Sequence, residues 1–231
     1  MKIKVILAFL ALILIFVEAG CERQLSGEVV KDIEKEEKTN IIPSPKILFS
    51  DDFSYGSGEI NKKWEIVLKD GLTVSTKGMI EASGKYGKAL ELRGKMLKTG
   101  SRDWKNYTIN TNIKVGSAPK HIANEIAFRM QDDDNYYLIS IRPSVYGVTY
   151  IFYKVVDGES YEIKRSARNK RIDDEDWHNL KLIVEDDRYI LFVDDEFIME
   201  VKDDKFLQGN IALMTDPLSI VYFDDFVVIG Y

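Results

Sequence analysis

The chain has 231 residues, 45% of them hydrophobic and 30% charged, which suits one ordinary domain with its own core plus a short appendage. Its formal net charge of -6 gives no basic face to match a phosphate backbone, so nucleic acid is excluded as a partner. A single cysteine allows no internal disulfide, and stability has to come from packing.

At the N-terminus, Lys2 and Lys4 precede the apolar run Val5–Val17. The run is too short to span a bilayer as a helix and has the length of the hydrophobic region of a secretion signal. The sequence VEAGC follows, ending on Cys21. This placement resembles the lipobox of bacterial lipoproteins, in which cleavage before a cysteine leaves that residue to carry lipid. Ala19 and Gly20 fit the pattern and Glu18 departs from it. The resemblance implies a signal segment at 1–20, lipid attachment at Cys21, and an extracytoplasmic protein of the cell envelope anchored to the membrane. A plain signal peptide cut at Ala19 or Gly20 is the alternative. Residues 21–46 combine alternating charge with the Pro43-Ser44-Pro45 break, which predicts a flexible linker, lipid-anchored if the lipobox resemblance holds. A short helix fits Val29–Lys38, but no apolar heptad is sustained there.

From Ile47 onward nearly every segment predicts a strand. Runs rich in β-branched and aromatic residues cover 108–115, 124–131, 136–143, 148–156, 161–167, 178–185, 188–195, 196–201, 209–215 and 220–230. Turn signals separate them: DDDN at 132–135, VDGE at 156–159, EDDR at 185–188 and VDDE at 193–196. Alternation is clear for Leu180, Leu182 and Val184, and for Tyr189, Leu191 and Val193. Tyr136–Ile141 is apolar in both phases, so its outward face is either covered or a binding surface. Short strands at this spacing predict an all-β, two-sheet antiparallel β-sandwich over 47–231.

Several short stretches recur in a telling order. They are Asp51-Asp52-Phe53, Trp64, Trp104-Lys105-Asn106-Tyr107, Ala127-Phe128-Arg129, Asn135-Tyr136-Tyr137, Asp157-Gly158, Trp177-His178-Asn179-Leu180-Lys181, Asp194-Asp195, Gly209-Asn210-Ile211-Ala212-Leu213 and Tyr222-Phe223-Asp224-Asp225. Taken together they resemble the concanavalin A-like (laminin G-type) jelly roll. The similarity is to its branch of 3-keto-disaccharide hydrolase-like domains and carbohydrate-binding modules. The resemblance implies two curved sheets with sugars bound on the concave face or its rim, and first and last strands lying side by side. It also implies that a structural calcium ion often sits near that junction.

Two sets of candidate residues follow. The carboxylates Asp51, Asp52, Asp224 and Asp225 are candidate Ca²⁺ ligands if the terminal strands converge, with turn capping and strand-edge hydrogen bonds as the simpler role. Sugars are gripped by aromatic faces and planar bidentate donors, which makes Arg129, Tyr137, Arg142, Tyr146 and Tyr150 the carbohydrate candidates. In that reading Phe128 and Ile126 face the core and turn Arg129 outward, while Tyr150 and Tyr153 have opposite phases. Trp64, Trp104, Tyr107, Tyr136 and Trp177 are expected in the core or at its corners. The two histidines, His121 and His178, have no partner at zinc-ligand spacing. No nucleophile elbow or phosphate loop is present, nor the Glu-x-Asp-x-x-Glu run of laminarinase-type relatives. Asp173–Asp176 before Trp177 predicts a solvated cap. The functional expectation is a non-catalytic carbohydrate-binding lipoprotein whose partner is a poly- or oligosaccharide. The alternatives are a glycoside hydrolase of the 3-keto-disaccharide type, or a structural envelope or protein-interaction module.

Overall fold

The computed structural model describes residues 44–55, 60–67, 74–80, 86–94, 96–115, 123–144, 146–168, 176–216 and 218–231. The signal segment 1–20, Cys21, the linker up to residue 43, His121 and Asp173–Glu175 lie outside the described residues. Among the described residues no helix is long and apolar enough to cross a membrane.

All regular structure in this part of the chain is strand. In order the elements are β1 (Lys46–Asp51), β2 (Glu65–Val67), β3 (Val74–Ile80), β4 (Tyr86–Leu92), β5 (Met96–Thr99), β6 (Tyr107–Val115), β7 (Asn124–Asp132) and β8 (Asn135–Ser144). They continue as β9 (Gly147–Val156), β10 (Glu159–Arg165), β11 (His178–Glu185), β12 (Arg188–Val193), β13 (Glu196–Lys202), β14 (Asn210–Thr215) and β15 (Val221–Gly230). One sheet runs β13-β12-β11-β6-β15-β4-β3, with β1 also on β15, and the other runs β10-β9-β8-β7-β14-β5-β2. Every pairing is antiparallel. The fold is the expected all-β two-sheet sandwich.

Local chemistry explains the hairpins. Two-residue turns match strand twist when their central residues adopt positive φ, which Asp and Gly tolerate. Asp157 and Gly158 do so at φ 52° and 81°, Asp186 at 45°, and Asp194 and Asp195 at 51° and 59°. These are the turns that VDGE, EDDR and VDDE marked.

The two sheets bury one large cluster between them. Tyr107, Ile109 and Ile113 of β6 and Leu180, Leu182 and Val184 of β11 meet Phe128, Tyr137, Ile139, Phe152 and Leu213 of the opposite sheet. A second, smaller cluster holds Met96, Ala127, Met130, Tyr136, Leu138, Val155 and Ala212, on the opposite phase of the second sheet. Residues Tyr136–Ile141 are therefore buried on both faces. That resolves the double-sided apolar pattern of β8 in favour of a covered outer face.

β1 and β15 do lie side by side, with Asp51 opposite Phe226 and Lys46 opposite Gly230. On the same edge of β15, Val221–Phe223 pair with Leu90–Leu92 of β4 instead. The last strand thus changes partner at Asp224-Asp225. A bulge marks that point, where Asp224 faces Asn112 and Val227 faces Asn110, and Asp225 takes φ 48°. The extra residue lets Phe223 and Phe226, three apart, both point inward, and both are fully buried.

Candidate functional site

Both Asp-Asp-Phe stretches meet at this seam. Asp51, Asp52 and Asp225 share a cavity of about 310 Å³ with Ser50, Tyr55, Asn61 and Val227. Asp224 does not line it. Asp51 is buried, and its carboxylate is taken up by protein donors. Oδ1 accepts the Phe53 amide at 2.9 Å, while Oδ2 accepts Tyr55 Oη and Trp64 Nε1, each at 2.8 Å. Burial first, then the bond to Asp51, pushes the Tyr55 phenol well above its usual range. Asp52 faces solvent and accepts the Ser54 amide and hydroxyl. Asp224 Oδ1 accepts the Asp225 amide, and Asp225 Oδ2 accepts Asn112 Nδ2. Calcium needs six to eight oxygens around one point. Among the described residues no group of three or more His, Cys, Asp or Glu side chains is placed to hold a metal ion, and the protein donors named above already bond these carboxylates. Their contacts are those of strand-end caps.

The carbohydrate candidates separate into buried and exposed. The reading that turned Arg129 outward is corrected: the residue is 0% exposed. The cause is a second bulge. Asn210 pairs with Met130 and Ala212 with Ala127, so two residues of β7 oppose one of β14. Arg129 takes φ 50° there, and its side chain follows Phe128 inward. The guanidinium lies 5.6 Å from the Tyr189 ring and donates through Nη1 to Phe206 O at 3.4 Å, while Nε and Nη2 have no hydrogen-bond partner. Tyr137 and Tyr150 are also in the core, at 0% and 2% exposure, and do not present a face to a ligand. Burial raises both phenols strongly. Of the opposite-phase pair, Tyr153 is the one toward the outer side, with Arg142 stacked on it at 5.7 Å. Arg142 is half-buried and Tyr146 is exposed beneath Arg168, 5.3 Å from its ring.

Tyr137 acts inside the molecule. Its hydroxyl bonds Asp203, and it accepts the Phe206 amide at 3.2 Å. Lys154 Nζ sits 2.6 Å from the other Asp203 oxygen, and the Lys205 amide donates to Asp203 as well. Burial works to raise the Asp203 carboxyl, but Lys154, Tyr137 and the Lys205 amide outweigh it and hold the group below the usual carboxylate range. Tyr189 Oη donates to the carbonyl region of the same segment, 3.1 Å from Asp203 O and 3.2 Å from Phe206 O. Residues 203–209, the crossover from β13 to β14, are thereby stapled to the core.

An open cavity of about 660 Å³ lies at the second sheet, beside the start of β14. Its wall is Glu65 of β2, Lys98 of β5, Asn210 of β14, and the end of β7 from Met130 to Asp132 with the Asp133-Asp134 turn. Gly100, Ser101 and Arg102 close it. Lys98 Nζ lies 3.5 Å from Glu65 and 3.6 Å from Asp133, shared between two exposed carboxylates. Asp132 Oδ1 accepts Asn135 Nδ2 and the Asp134 amide, each at 2.9 Å, and these bonds, Asn135 foremost, hold its carboxyl below the usual range. Gln131 Nε2 bonds the carbonyls of Arg129 and Gln208. Gly209, at φ 146°, lies against the Arg129–Met130 backbone, where a Cβ would collide. Behind Gly100 the Trp104 ring occupies the space any side chain would need. The cavity offers carboxylate acceptors, cationic donors and amides within one concave surface, and none of the five sequence candidates lines it. DDDN at 132–135 marked its lip, but only as a turn.

No family model matches the chain, and no curated protein matches it in sequence. Solved structures do match. The chain is similar to the carbohydrate-binding module CBM66 from Bacillus subtilis, with a TM-score of 0.56 and 21% identity over 72% of this chain and 94% of that one. It is similar to a Bacillus subtilis protein of galectin-like fold, with a TM-score of 0.53 and 12% identity over 80% of this chain and 96% of that one. It also matches the GH43 protein BlXynB from Bacillus licheniformis, with a TM-score of 0.56 and 12% identity over 79% of this chain and 39% of that one. The chain thus spans about two fifths of the length of that enzyme. At these identities the likeness shows the fold, a β-sandwich of the kind found in carbohydrate-binding modules.

Proposed function

We propose that the protein is a non-catalytic, carbohydrate-binding β-sandwich carried on the cell envelope by lipid at Cys21. The observation that carries the binding half is the open polar cavity at the β7–β8 turn. Saccharide hydroxyls donate and accept at once, and that cavity presents both kinds of partner. The fold shared with carbohydrate-binding modules supports the reading. The anchoring half rests on the N-terminal sequence. Arg142 and Tyr146, the two sequence candidates that reach the surface, lie toward the other end of β8, about 23 Å along the strand from the Asn135 turn, and are proposed as a separate contact.

The test is a glycan array with the full chain purified in detergent, followed by calorimetric titration of any ligand found. Lys98→Ala and Asp133→Ala should each weaken binding about tenfold or more, as the loss of a hydrogen-bonded charged contact does. Phe197→Ala, on the other sheet, should leave it unchanged. Silence across the array would defeat the proposal. Labelled palmitate incorporated by the wild type and lost on Cys21→Ser would support the anchor, and no incorporation by the wild type would remove it.

A further inference from the structure

The charge of the cavity limits which saccharides it accepts. Its lining holds four carboxylates, Glu65, Asp132, Asp133 and Asp134, against the two cations Lys98 and Arg102. Lys98 does not neutralise one partner fully, because it stands between Glu65 at 3.5 Å and Asp133 at 3.6 Å, beyond hydrogen-bond length to both. Asp132 is kept ionised by the Asn135 amide and the Asp134 N–H. The concave surface therefore carries an excess of negative charge while still offering donors from Lys98, Arg102 and Asn210.

Resting on the carbohydrate-binding reading, we infer that this cavity selects saccharides by charge. It admits neutral and amino sugars and rejects uronate and sulfated ones. A neutral hydroxyl donates to a carboxylate and accepts from an ammonium or amide, so it meets both halves of the lining. A sugar carboxylate or sulfate accepts only. Placed here it faces Lys98 and Arg102 but stands within reach of more carboxylates than cations, and repulsion prevails. An ammonium group on the sugar reverses the sign.

Matched ligands of equal length isolate the effect: a neutral β-linked glucose oligomer, its glucosamine counterpart and a uronate oligomer. Titrated against the full chain in detergent at about 20 mM salt, the neutral and amino oligomers should bind at least about tenfold more tightly than the uronate. Raising the salt to about 500 mM should shrink that gap. The double variant Glu65→Gln/Asp133→Asn, at two exposed side chains, should lower the neutral-to-uronate affinity ratio by about tenfold or more. Equal or tighter binding of the uronate by the wild type would overturn the charge selection and leave carbohydrate binding intact. So would an unmoved ratio in the double variant. No binding by any of the three oligomers, or by any other glycan, removes both claims together.

Discussion

At the scale of single residues, two buried polar groups behave in opposite ways. Asp51 satisfies the Phe53 amide, the Tyr55 hydroxyl and the Trp64 indole at once. Removing it strands the buried Trp64 N–H and the half-buried Tyr55 hydroxyl. Asp51→Ala should therefore destabilise the protein by about 2–4 kcal/mol in urea unfolding, a loss near zero being inconsistent with this role. Arg129 is different, because two of its nitrogens are buried without partners and its one acceptor, Phe206 O, is also reached by Tyr189. Arg129→Met keeps much of the volume and removes an unpaired buried charge, so stability should hold or rise by about 1 kcal/mol. A loss above about 3 kcal/mol would show that the guanidinium has a counter-group. Nothing in the sequence distinguishes these two roles. Alternation alone turned Arg129 to solvent, and a one-residue bulge reversed it.

At the scale of elements, bulges and crossovers decide what the strands present. The bulge at Asp225 lies where β15 exchanges β4 for β1, which is why two aspartates stand in an apolar strand. The pairing of first and last strands was expected from the resemblance to the jelly roll, which let the two Asp-Asp-Phe stretches be placed near each other. The loss of register between them was not, because a bulge leaves composition unchanged. The 203–209 crossover has its own signature. Asp203 is held ionised by Lys154, Tyr137 and the Lys205 amide, against the effect of burial, so its folded pKa lies below its unfolded one. Such a group stabilises the fold above the unfolded carboxylate pKa, near pH 4, and the contribution is lost as pH falls through the folded value. Thermal melts from neutral to acid pH should thus show wild type losing stability below about pH 4. Asp203→Asn should start lower at neutral pH and fall less steeply. Parallel curves would mean that Asp203 does not carry the acid limb.

At the scale of the whole molecule, the sandwich was readable because its signals are redundant. Strand periodicity, β-branched composition and aspartate-rich turns all point the same way, and the hairpins at Asp157, Asp186 and Asp194 fall where the turn residues stood. The cavity was not readable in the same way. Glu65, Lys98, Asp132 and Asn210 come from four strands, and only the sheet order β8-β7-β14-β5-β2 brings them together. Aromatic and arginine residues drew attention to β8 and β9, where two of the tyrosines complete the core instead.

The most direct test of carbohydrate binding at this cavity is the dissociation constant of the best array ligand, compared between wild type and Lys98→Ala/Asp133→Ala in the full chain. The double variant should melt close to wild type, since Asp133 is exposed and Lys98 partly so, and should lose at least about tenfold in affinity, the two contacting side chains not being expected to act additively. An undiminished affinity in a folded double variant would contradict carbohydrate binding at this cavity.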